Sequence, residues 1–482
     1  MGGSGMGIQR ASPNDVMELV CDVSGTSMQV AAVLVLQTRS VEVAAVRSAI
    51  ADRVMAVPRL RQRLLDTPFA CGRPVWIDDP GFDIGNHVTS AECAAPGDER
   101  ALLEVVAKRI TERLPPDRPL WSATLITGLA DGKAALMVVF HHVLADGIGG
   151  LAVLAQLVDG IPIRPDPAFP RQPPRSRDLF LDAARSRLRA VSRLPAGMGR
   201  LRAAFRELGG SRGARPSRCS LNRPIGTSRG LGVARVDLAA VRAAAHAQGG
   251  TVNDVILTAV TGALRTVLAG RGERIDRLVV SIPVSARRNA TATELGNEVG
   301  VIPVEVPTTG LPTQRLAATA AITRQRKIAA RGSSAALIGP MFRVLAGAGV
   351  FGWFVDRQRL INTFLSNLRG PEQRLSFLGA PVVEVIPVGA ISGNVTVAFA
   401  ALSYAGRLTV TVIADPDRCP DLQDVAEALQ RELRVVTGGD APDHHPDDRR
   451  LWPSPDPSVN PDTTISPDTT ISPDTTIRVV PT

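Results

Sequence analysis

Hydrophobic and polar positions in the first 160 residues follow two different periods. From Val41 to Leu65 and from Asp98 to Leu114, apolar side chains recur every three to four positions with charged residues between them. This spacing predicts two amphipathic helices. Two unbroken apolar runs follow, Trp121 to Leu129 and Ala134 to Phe140, and a short sequence with Asp131-Gly132 separates them. Such a pair of runs around a short turn predicts a β-hairpin.

A second set of patterns begins near Leu221. The stretch from Val255 to Leu268 predicts a helix. Asn253 or Asp254 can cap it, because a short polar side chain accepts hydrogen bonds from the free amides of the first turn. The other predicted elements are strands at Leu278–Val284, Val299–Val306 and Val382–Val388, a hairpin of Val395–Tyr404 with Leu408–Ala414, and a helix at Asp421–Val436.

Helices mixed with largely antiparallel strands, in two stretches of similar size, predict an α+β fold rather than a doubly wound α/β fold. We expect an N-terminal domain over residues 8–160, a linker over 161–220, a C-terminal domain over 221–437 and a disordered tail over 438–482. The tail contains the sequence Pro-Asp-Thr-Thr-Ile three times. So polar a repeat cannot bury a core of its own.

The predicted linker opens rich in proline and becomes rich in arginine, with leucine and phenylalanine side chains between the charges. This pattern predicts a basic amphipathic helix. Two interpretations stay open. The helix can lie on an anionic membrane surface, or it can pack across the two domains as a solvated connection.

Composition and charge narrow the class of protein. The chain has 482 residues, of which 44% are hydrophobic and 21% charged, which is typical of a folded chain with more than one domain. The net charge is +9, and all but three of the 55 lysine and arginine residues are arginine. A basic balance favours anionic partners. We do not expect nucleic acid, because aromatic residues are only 4% and none interleaves with a basic motif.

Cysteine spacing and the N-terminal sequence bear on location. The five cysteines are scattered without CxxC or Cys/His spacing, so we expect neither a metal site nor a disulfide framework. The N-terminal sequence lacks the basic and apolar segments of a signal peptide. No window of about 18 uncharged apolar residues predicts a transmembrane helix. We therefore expect a cytoplasmic protein.

The candidate chemistry lies at the end of the second hairpin strand, where His141 and His142 follow the apolar run directly. Asp146 and Gly147 complete the motif HHxxxDG, and helical spacing resumes after it. Since the chain has only six histidines, this motif is a specific signal. A buried strand that ends in imidazoles can present a base to a cavity, where it takes the proton of a hydroxyl that attacks a carbonyl.

We expect His142 to be the general base and His141 its packed neighbour, because alternation at a strand end turns the two rings to opposite sides. The alternative is that both histidines are structural. We expect Asp146 to tie the turn by pairing with an arginine rather than to act as a second catalytic acid. Gly147 would permit a close approach of the backbone.

With these residues the chain resembles the bacterial wax ester synthase/diacylglycerol acyltransferase family over most of residues 8–437. HHxxxDG alone marks a wider superfamily, which includes condensation domains and chloramphenicol-type acetyltransferases. The narrower resemblance rests on Pro119-Leu120-Trp121, Asn253-Asp254-Val255, Gly296-Asn297 and Ser366-Asn367-Leu368-Arg369-Gly370-Pro371. The family's Pro-Met-His element reads Ser27-Met28-Gln29 here, which leaves the choice of acceptor open.

The resemblance implies two domains like those of CoA-dependent acyltransferases, with the active site in a tunnel between them. His142 would deprotonate the hydroxyl of a diacylglycerol or a long-chain alcohol, which would attack the thioester of acyl-CoA without an acyl-enzyme. Ser366 and Asn367 are the candidates for stabilising the oxyanion. Asn253 and Asp254 would hold the site-facing helix of the second domain. Acyl-CoA is the implied co-substrate, with no bound cofactor or metal.

Two other functions stay open at this stage. The first is a condensation-type acyltransferase that takes its acyl group from a carrier-protein thioester, although the sequence lacks the Gly-x-Asp-Ser site of a carrier domain. The second is a non-catalytic lipid-surface binding protein that keeps the fold. For the acyltransferase we expect peripheral association with the inner face of the membrane or with lipid droplets.

Overall fold

The computed structural model describes residues 8–22, 27–38, 40–192, 216–285, 299–329, 345 and 349–439. The helices are α1 Pro13–Cys21, α2 Val43–Val54, α3 Glu99–Thr111, α4 Gly147–Leu157, α5 Ser176–Ser192, α6 Leu238–Ala247, α7 Val252–Gly270, α8 Pro312–Ala329, α9 Phe351–Val355 and α10 Leu422–Val436. The strands are β1 Gln29–Gln37, β2 Gln62–Leu65, β3 Val75–Asp78, β4 Val88–Glu92, β5 Trp121–Leu129, β6 Lys133–His141, β7 Gly230–Asp237, β8 Arg277–Ser285, β9 Val299–Pro307, β10 Thr363–Arg369, β11 Ser376–Phe377, β12 Ala380–Val388, β13 Val397–Tyr404 and β14 Arg407–Ala414.

The first sheet has the strand order β11-β12-β1-β6-β5-β4, and β6 is buried on both faces. Leu136 and Val138 of β6 pack into a cluster with residues of α2 and α4. Met137 and Val139 pack on the other face, in a cluster that includes α3 and residues of the second sheet. Burial on both faces explains why this run is apolar without alternation. The predicted β5–β6 hairpin is present.

The second sheet has the order β7-β14-β13-β10-β8-β9, in which β10 runs parallel to β13 and β8. Helices α7 and α10 pack together against this sheet. Within the described ranges, α7 alone is long and apolar enough to span a membrane, and most of it is buried. It therefore has the surroundings of a core helix.

One strand joins the two halves of the chain. We predicted Val382–Val388 as a strand of the C-terminal domain, but β12 pairs with β1 in the first sheet. The antiparallel register runs from Ala31 opposite Val388 to Leu36 opposite Val382. An apolar strand pattern does not specify its partner, so the sequence predicted the strand but not the sheet that it joins. The division into domains stays a prediction.

Of four other predictions, one differs in detail, one is confirmed and two fall outside the described residues. The predicted helix from Val41 to Leu65 ends at Val54, and a 3₁₀ turn beginning at Pro58 leads into β2. Proline lacks an amide hydrogen and disfavours helical geometry in the residue before it, which accounts for the early end. The predicted linker helix is present as α5. Gly296-Asn297 and residues 440–482 of the repeat tail lie outside the described residues.

A buried ion cluster fastens the two sheets to each other. Arg235 of β7 donates to both carboxylate oxygens of Glu384 in β12, at 2.6 and 3.1 Å, and also to Glu99 of α3. The Thr409 hydroxyl donates a further hydrogen bond to Glu384 at 3.1 Å. Burial alone would lower the pKa of Arg235, but the two carboxylates raise it above its ordinary value. The cluster is therefore charged and paired.

Replacing Arg235 by Met should destabilise the fold, because it leaves the Glu384 carboxylate buried without its cation. We expect a loss of about 3–5 kcal/mol in the free energy of unfolding, measured by urea denaturation. The matched control is Arg242→Met, which removes an arginine paired with exposed Glu372 and should leave the urea midpoint unchanged. Equal midpoints for the two variants would show that the cluster does not hold the sheets together.

Candidate active site

The backbone of the histidine pair is held from two sides. His141 ends β6, and its N–H donates to the carbonyl of Leu120 at 3.0 Å. The N–H of His142 donates to the carbonyl of Met28 at 2.7 Å. Both acceptors belong to segments noted in the sequence, Pro119-Leu120-Trp121 and Ser27-Met28-Gln29. The two segments therefore fix the backbone positions from which the side chains of His141 and His142 extend.

Trp121 anchors the first of these segments in the core. Its indole N–H donates to the carbonyl of Leu60 at 2.7 Å, and the side chain is almost fully buried. The indole ring stacks on His87 with centroids 4.6 Å apart, and His87 stacks on Phe82. Because Trp121 is held both by ring stacking and by the hydrogen bond of its N–H, it fixes the start of β5 and therefore the position of the Leu120 carbonyl.

Each histidine has a carboxylate from α1 or its C-cap, which sequence analysis missed. Glu18 and Asp22 are four residues apart, so they lie on one face of the helix end. Glu18 Oε1 is 3.7 Å from His142 Nδ1, and Asp22 Oδ2 is 3.3 Å from His141 Nε2. The signal in the sequence was the spacing of two acids, but nothing linked them to histidines about 120 residues away.

His141 is the more deeply packed of the two. Only 4% of the residue is exposed, and Nδ1 accepts the N–H of Val143 at 3.1 Å. In the neutral ring the proton is therefore on Nε2, facing Asp22. Burial by itself raises the pKa of the Asp22 carboxyl, but His141 and Arg113 hold it below its ordinary value. His141 is thus locked between a backbone amide and a carboxylate.

His142 has the greater access, since 25% of its side chain is exposed. With Glu18 beside Nδ1, the arrangement leaves Nε2 as the atom that can meet a hydroxyl, and the carboxylate can stabilise a positive charge that forms on the ring. Cys21 does not compete as a nucleophile. Burial and the charges of Glu18 and Asp22 raise the pKa of its thiol well above the ordinary value.

Asp146 and Gly147 shape the turn after the histidines. Asp146 is the N-cap of α4, and its carboxylate accepts the N–H of Gly149 at 2.8 Å. This contact fixes the turn through the helix backbone, and the expected pairing of Asp146 with an arginine stays a prediction. At Gly147 a Cβ atom would lie 2.7 Å from Leu368 Cδ2, so the close approach here is to β10 of the second sheet.

The faces of β10 separate the two oxyanion candidates. Phe364 and Leu368 pack against the clusters of the first sheet, whereas Leu365 packs in the core of the second sheet. Because side chains alternate along a strand, Ser366 shares the face of Phe364 and Leu368. Asn367 shares the opposite face with Leu365. Ser366 therefore faces the half of the chain that carries the histidines.

Asp254 is engaged in structural contacts. The N-cap of α7 is Thr251, not Asn253 or Asp254 as predicted. Asp254 Oδ2 accepts the N–H and the hydroxyl of Thr251, each at 2.8 Å, which completes a capping box. Asp254 Oδ1 accepts the hydroxyl of Thr323 in α8 at 2.6 Å. The carboxylate thus ties two helices together. Asn253, next to it, is half-buried.

A cleft of about 50 Å³ lies between the two halves, beside the segment that holds His142. Gln29 and Arg113 line it from the first half, and Thr227 and Arg229 line it from the second. The Gln29 amide donates to the carbonyls of two residues at the end of α3 and just beyond it, and its oxygen accepts an amide from the residues that follow. Within the described ranges, no group of three His, Cys, Asp or Glu side chains could hold a metal ion.

Comparison with known proteins adds to this geometry. Residues 11–256 match the model of the wax ester synthase/diacylglycerol acyltransferase catalytic domain, and residues 295–436 match the WS/DGAT C-terminal domain. The chain belongs to this family. A Mycobacterium tuberculosis protein with the name "probable diacylglycerol O-acyltransferase" is 31% identical over 420 residues, which span 84% of this chain and 90% of that protein. The family inferred from the sequence is confirmed.

Solved structures confirm the α+β fold. The wax ester synthase/diacylglycerol acyltransferase from Marinobacter aquaeolei VT8 has a TM-score of 0.64 at 23% identity, over 89% of this chain and 98% of that one. The first condensation domain of the calcium-dependent antibiotic synthetase has a TM-score of 0.60 at 16% identity, over 90% and 96%. At these identities the likeness shows the fold alone.

Replacing Glu18 by Gln should slow turnover, because it removes the charge beside His142 Nδ1 and keeps the size of the side chain. We expect kcat for acyl transfer to fall by roughly tenfold or more, with little change in KM. The matched control is Glu104→Gln on the exposed face of α3, which should be neutral. An unchanged kcat in Glu18→Gln would remove Glu18 from the site.

Replacing Gly147 by Ala should push Leu368 away and disturb β10. We expect a loss of about 1–3 kcal/mol in the free energy of unfolding, together with reduced acyl transfer. Adding Leu368→Ala should make room, so the double variant should lose less than the sum of the single losses. Gly150→Ala is the matched control on the same helix, where a Cβ meets nothing within 4 Å. If Gly147→Ala is as stable and active as Gly150→Ala, the contact with β10 has no consequence.

Proposed function

We propose that this protein is an acyl-CoA-dependent O-acyltransferase that forms triacylglycerol from diacylglycerol, and also wax esters from long-chain alcohols. Family membership supports the reaction class. The observation that carries the proposal is the position of His142, which has Glu18 beside Nδ1 and a strand of the second sheet packed against the turn that follows it. A general base that acts on two substrates between the halves of a protein requires such a carboxylate and such packing from both sides.

His142 acts as the general base in the proposed reaction. Nε2 takes the proton of the acceptor hydroxyl as its oxygen attacks the thioester carbonyl, and the Glu18 carboxylate stabilises the imidazolium that forms. The tetrahedral intermediate then collapses, the carbon–sulfur bond breaks, and the CoA thiolate takes the proton from His142. No acyl-enzyme forms. His141 positions the pair through Asp22, and Asp146 with Gly147 sets the turn.

Ser366 is the proposed donor to the oxyanion of the tetrahedral intermediate. Its position on the face of β10 that packs toward the first sheet supports this role over Asn367. A hydroxyl can donate a hydrogen bond, whereas the Asp254 carboxylate can only accept one while ionised. We therefore assign Asp254, with Asn253 beside it, to holding α7. A preorganised donor of this kind usually contributes several kcal/mol to transition-state stabilisation.

The proposed active site lies in a tunnel between an N-terminal domain of residues 8–160 and a C-terminal domain of residues 221–437, with acyl-CoA as co-substrate and no bound cofactor. The cleft beside Met28 supports an entrance at this boundary. The acceptor is a membrane lipid, so we further propose a cytoplasmic protein that associates peripherally with the inner face of the membrane or with lipid droplets. The exposed side chains of α5 support a surface contact.

Two alternative functions make different predictions about which acyl donor the protein uses. A condensation-type acyltransferase would take its acyl group from a carrier-protein thioester, and this donor can be offered in place of acyl-CoA. A non-catalytic lipid-surface binding protein would transfer no acyl group from either donor. Parallel assays with acyl-CoA and with acyl-carrier protein therefore distinguish the proposed function from these two alternatives.

The test supplies purified protein with labelled palmitoyl-CoA and either diacylglycerol or hexadecanol. Triacylglycerol and wax ester are the expected products, and His142→Ala should abolish both because the variant lacks the proposed general base. A loss of at least about 10²-fold is expected for a removed general base. The fold of the variant is checked by its urea midpoint. Retained activity in a folded His142→Ala protein would overturn the mechanism, and product from the carrier thioester alone would overturn the substrate.

A further inference from the structure

Helix α5 has an apolar row on its outer face. Leu179 turns inward and packs with Cys71, Val75 and Ile77. At 3.6 residues per turn, Phe180 lies to one side of the row that Leu188 and Leu181 form opposite Leu179. These three side chains are 49%, 72% and 40% exposed, in that order. A helix packed on a globular fold ordinarily has a polar outer face, so the exposed apolar side chains of α5 indicate a second apolar contact.

A neighbouring loop adds an exposed aromatic side chain close to the start of α5. Phe69 is fully exposed at the tip of a turn closed by a hydrogen bond from the N–H of Cys71 to the carbonyl of Pro68, at 3.0 Å. The Cys71 thiol contacts the carbonyl of Ser176 at the start of α5, at 3.8 Å. The turn is therefore held against the helix, and Phe69 projects beside it.

Arginine predominates among the charges around this surface. Arg177, Arg185 and Arg187 are exposed on α5, against one exposed acid of the helix, Asp178. The other acid, Asp182, is half-buried in an ion pair with Arg10. We call the surface formed by these three arginines together with Phe69, Phe180, Leu181 and Leu188 the docking face. Apolar side chains flanked by arginine are typical of a helix that lies in a lipid–water interface.

We propose that the docking face binds the surface of an anionic phospholipid bilayer. The apolar row enters the interface while the arginines contact the lipid phosphates. This inference deepens the proposed function and rests on it, since the acceptor lipid is delivered by that bilayer. The inner face of α5 contacts protein, because Leu179 packs on β3. Packing of this helix across both domains stays a prediction. The helix thus has one face for the protein and one for the lipid.

Arg10 connects the docking face to the catalytic residues. Its guanidinium donates to the Asp182 carboxylate at 2.6 Å and to the Leu179 carbonyl at 2.8 Å, both in α5. Helix α1 begins three residues further, at Pro13, and carries Glu18. With about 3.5 Å per extended residue and 1.5 Å per helical residue, the Cα atoms of Arg10 and Glu18 are at most about 18 Å apart. Docking would therefore bring α5 to the lipid surface together with the helix that carries Glu18.

Vesicle flotation of the full chain tests this proposal. The protein should float with vesicles that contain phosphatidylglycerol and much less with phosphatidylcholine alone, and added salt should release it. Phe69→Ser with Leu188→Ser should weaken binding by roughly tenfold or more, because both side chains lose their apolar contact with the lipid. Replacing Arg177, Arg185 and Arg187 by Gln should weaken binding to anionic vesicles to a similar degree.

The matched control for the apolar variants is Leu311→Ser, because Leu311 is 63% exposed at a different place in the fold. It should float like the wild type. Flotation of the Phe69/Leu188 variant at the wild-type level, or equal binding to both kinds of vesicle, would overturn the proposal. Acyl transfer to detergent-dispersed diacylglycerol should persist in the docking variants. His142→Ala should still float but should lose acyl transfer. A wild-type protein that floats but transfers no acyl group would contradict the proposed function and not the docking face.

Discussion

The pairing of β1 with two strands from distant parts of the chain is the constraint on which the rest of the site depends. On one edge β1 places Gln29 opposite His141, and on the other it places Ala31 opposite Val388. One strand therefore sets the register of the histidines and of a strand from the C-terminal half. A slip of one residue would exchange the two buried faces of β1 at once, so both hydrophobic clusters oppose it. The Arg235 cluster adds a charged contact that fits only one register.

This shared strand explains how a base and its surroundings can come from different halves without a flexible joint. After β12 the chain returns to the second sheet at β13, which pairs in parallel with β10. The position of β10 is thus tied to β12, and through β12 to β1. Leu368 then contacts Gly147 directly, and Ser366 follows on the same face. The identity of the facing residue is a consequence of strand alternation, which no motif contains.

The sequence was most informative where local pattern and chemistry coincide. The apolar run and the Asp-Gly turn were enough to place His141 at the end of a buried strand, and additional motifs were enough to name the family. It was least informative about contacts between distant segments. Nothing near His142 in the chain points to Glu18, because a helix face with two acids is ordinarily a solvated one. The pattern around Thr251 also misled, since any of three neighbouring polar residues could begin the helix, and only the observed hydrogen bonds identify the N-cap.

Ser27-Met28-Gln29 stands where the family has Pro-Met-His, yet the general base keeps its support. The reason is that a backbone carbonyl and a side chain have separate roles in this segment. The Met28 carbonyl holds the amide of His142, and any residue supplies a carbonyl. The Gln29 side chain instead donates twice and accepts once, fastening the end of α3 through Ile110, Glu112 and Leu114. A neutral imidazole offers one donor and one acceptor, so it could not make the same three contacts. Glutamine at this position therefore builds a different wall for the cleft while leaving the support of the base unchanged.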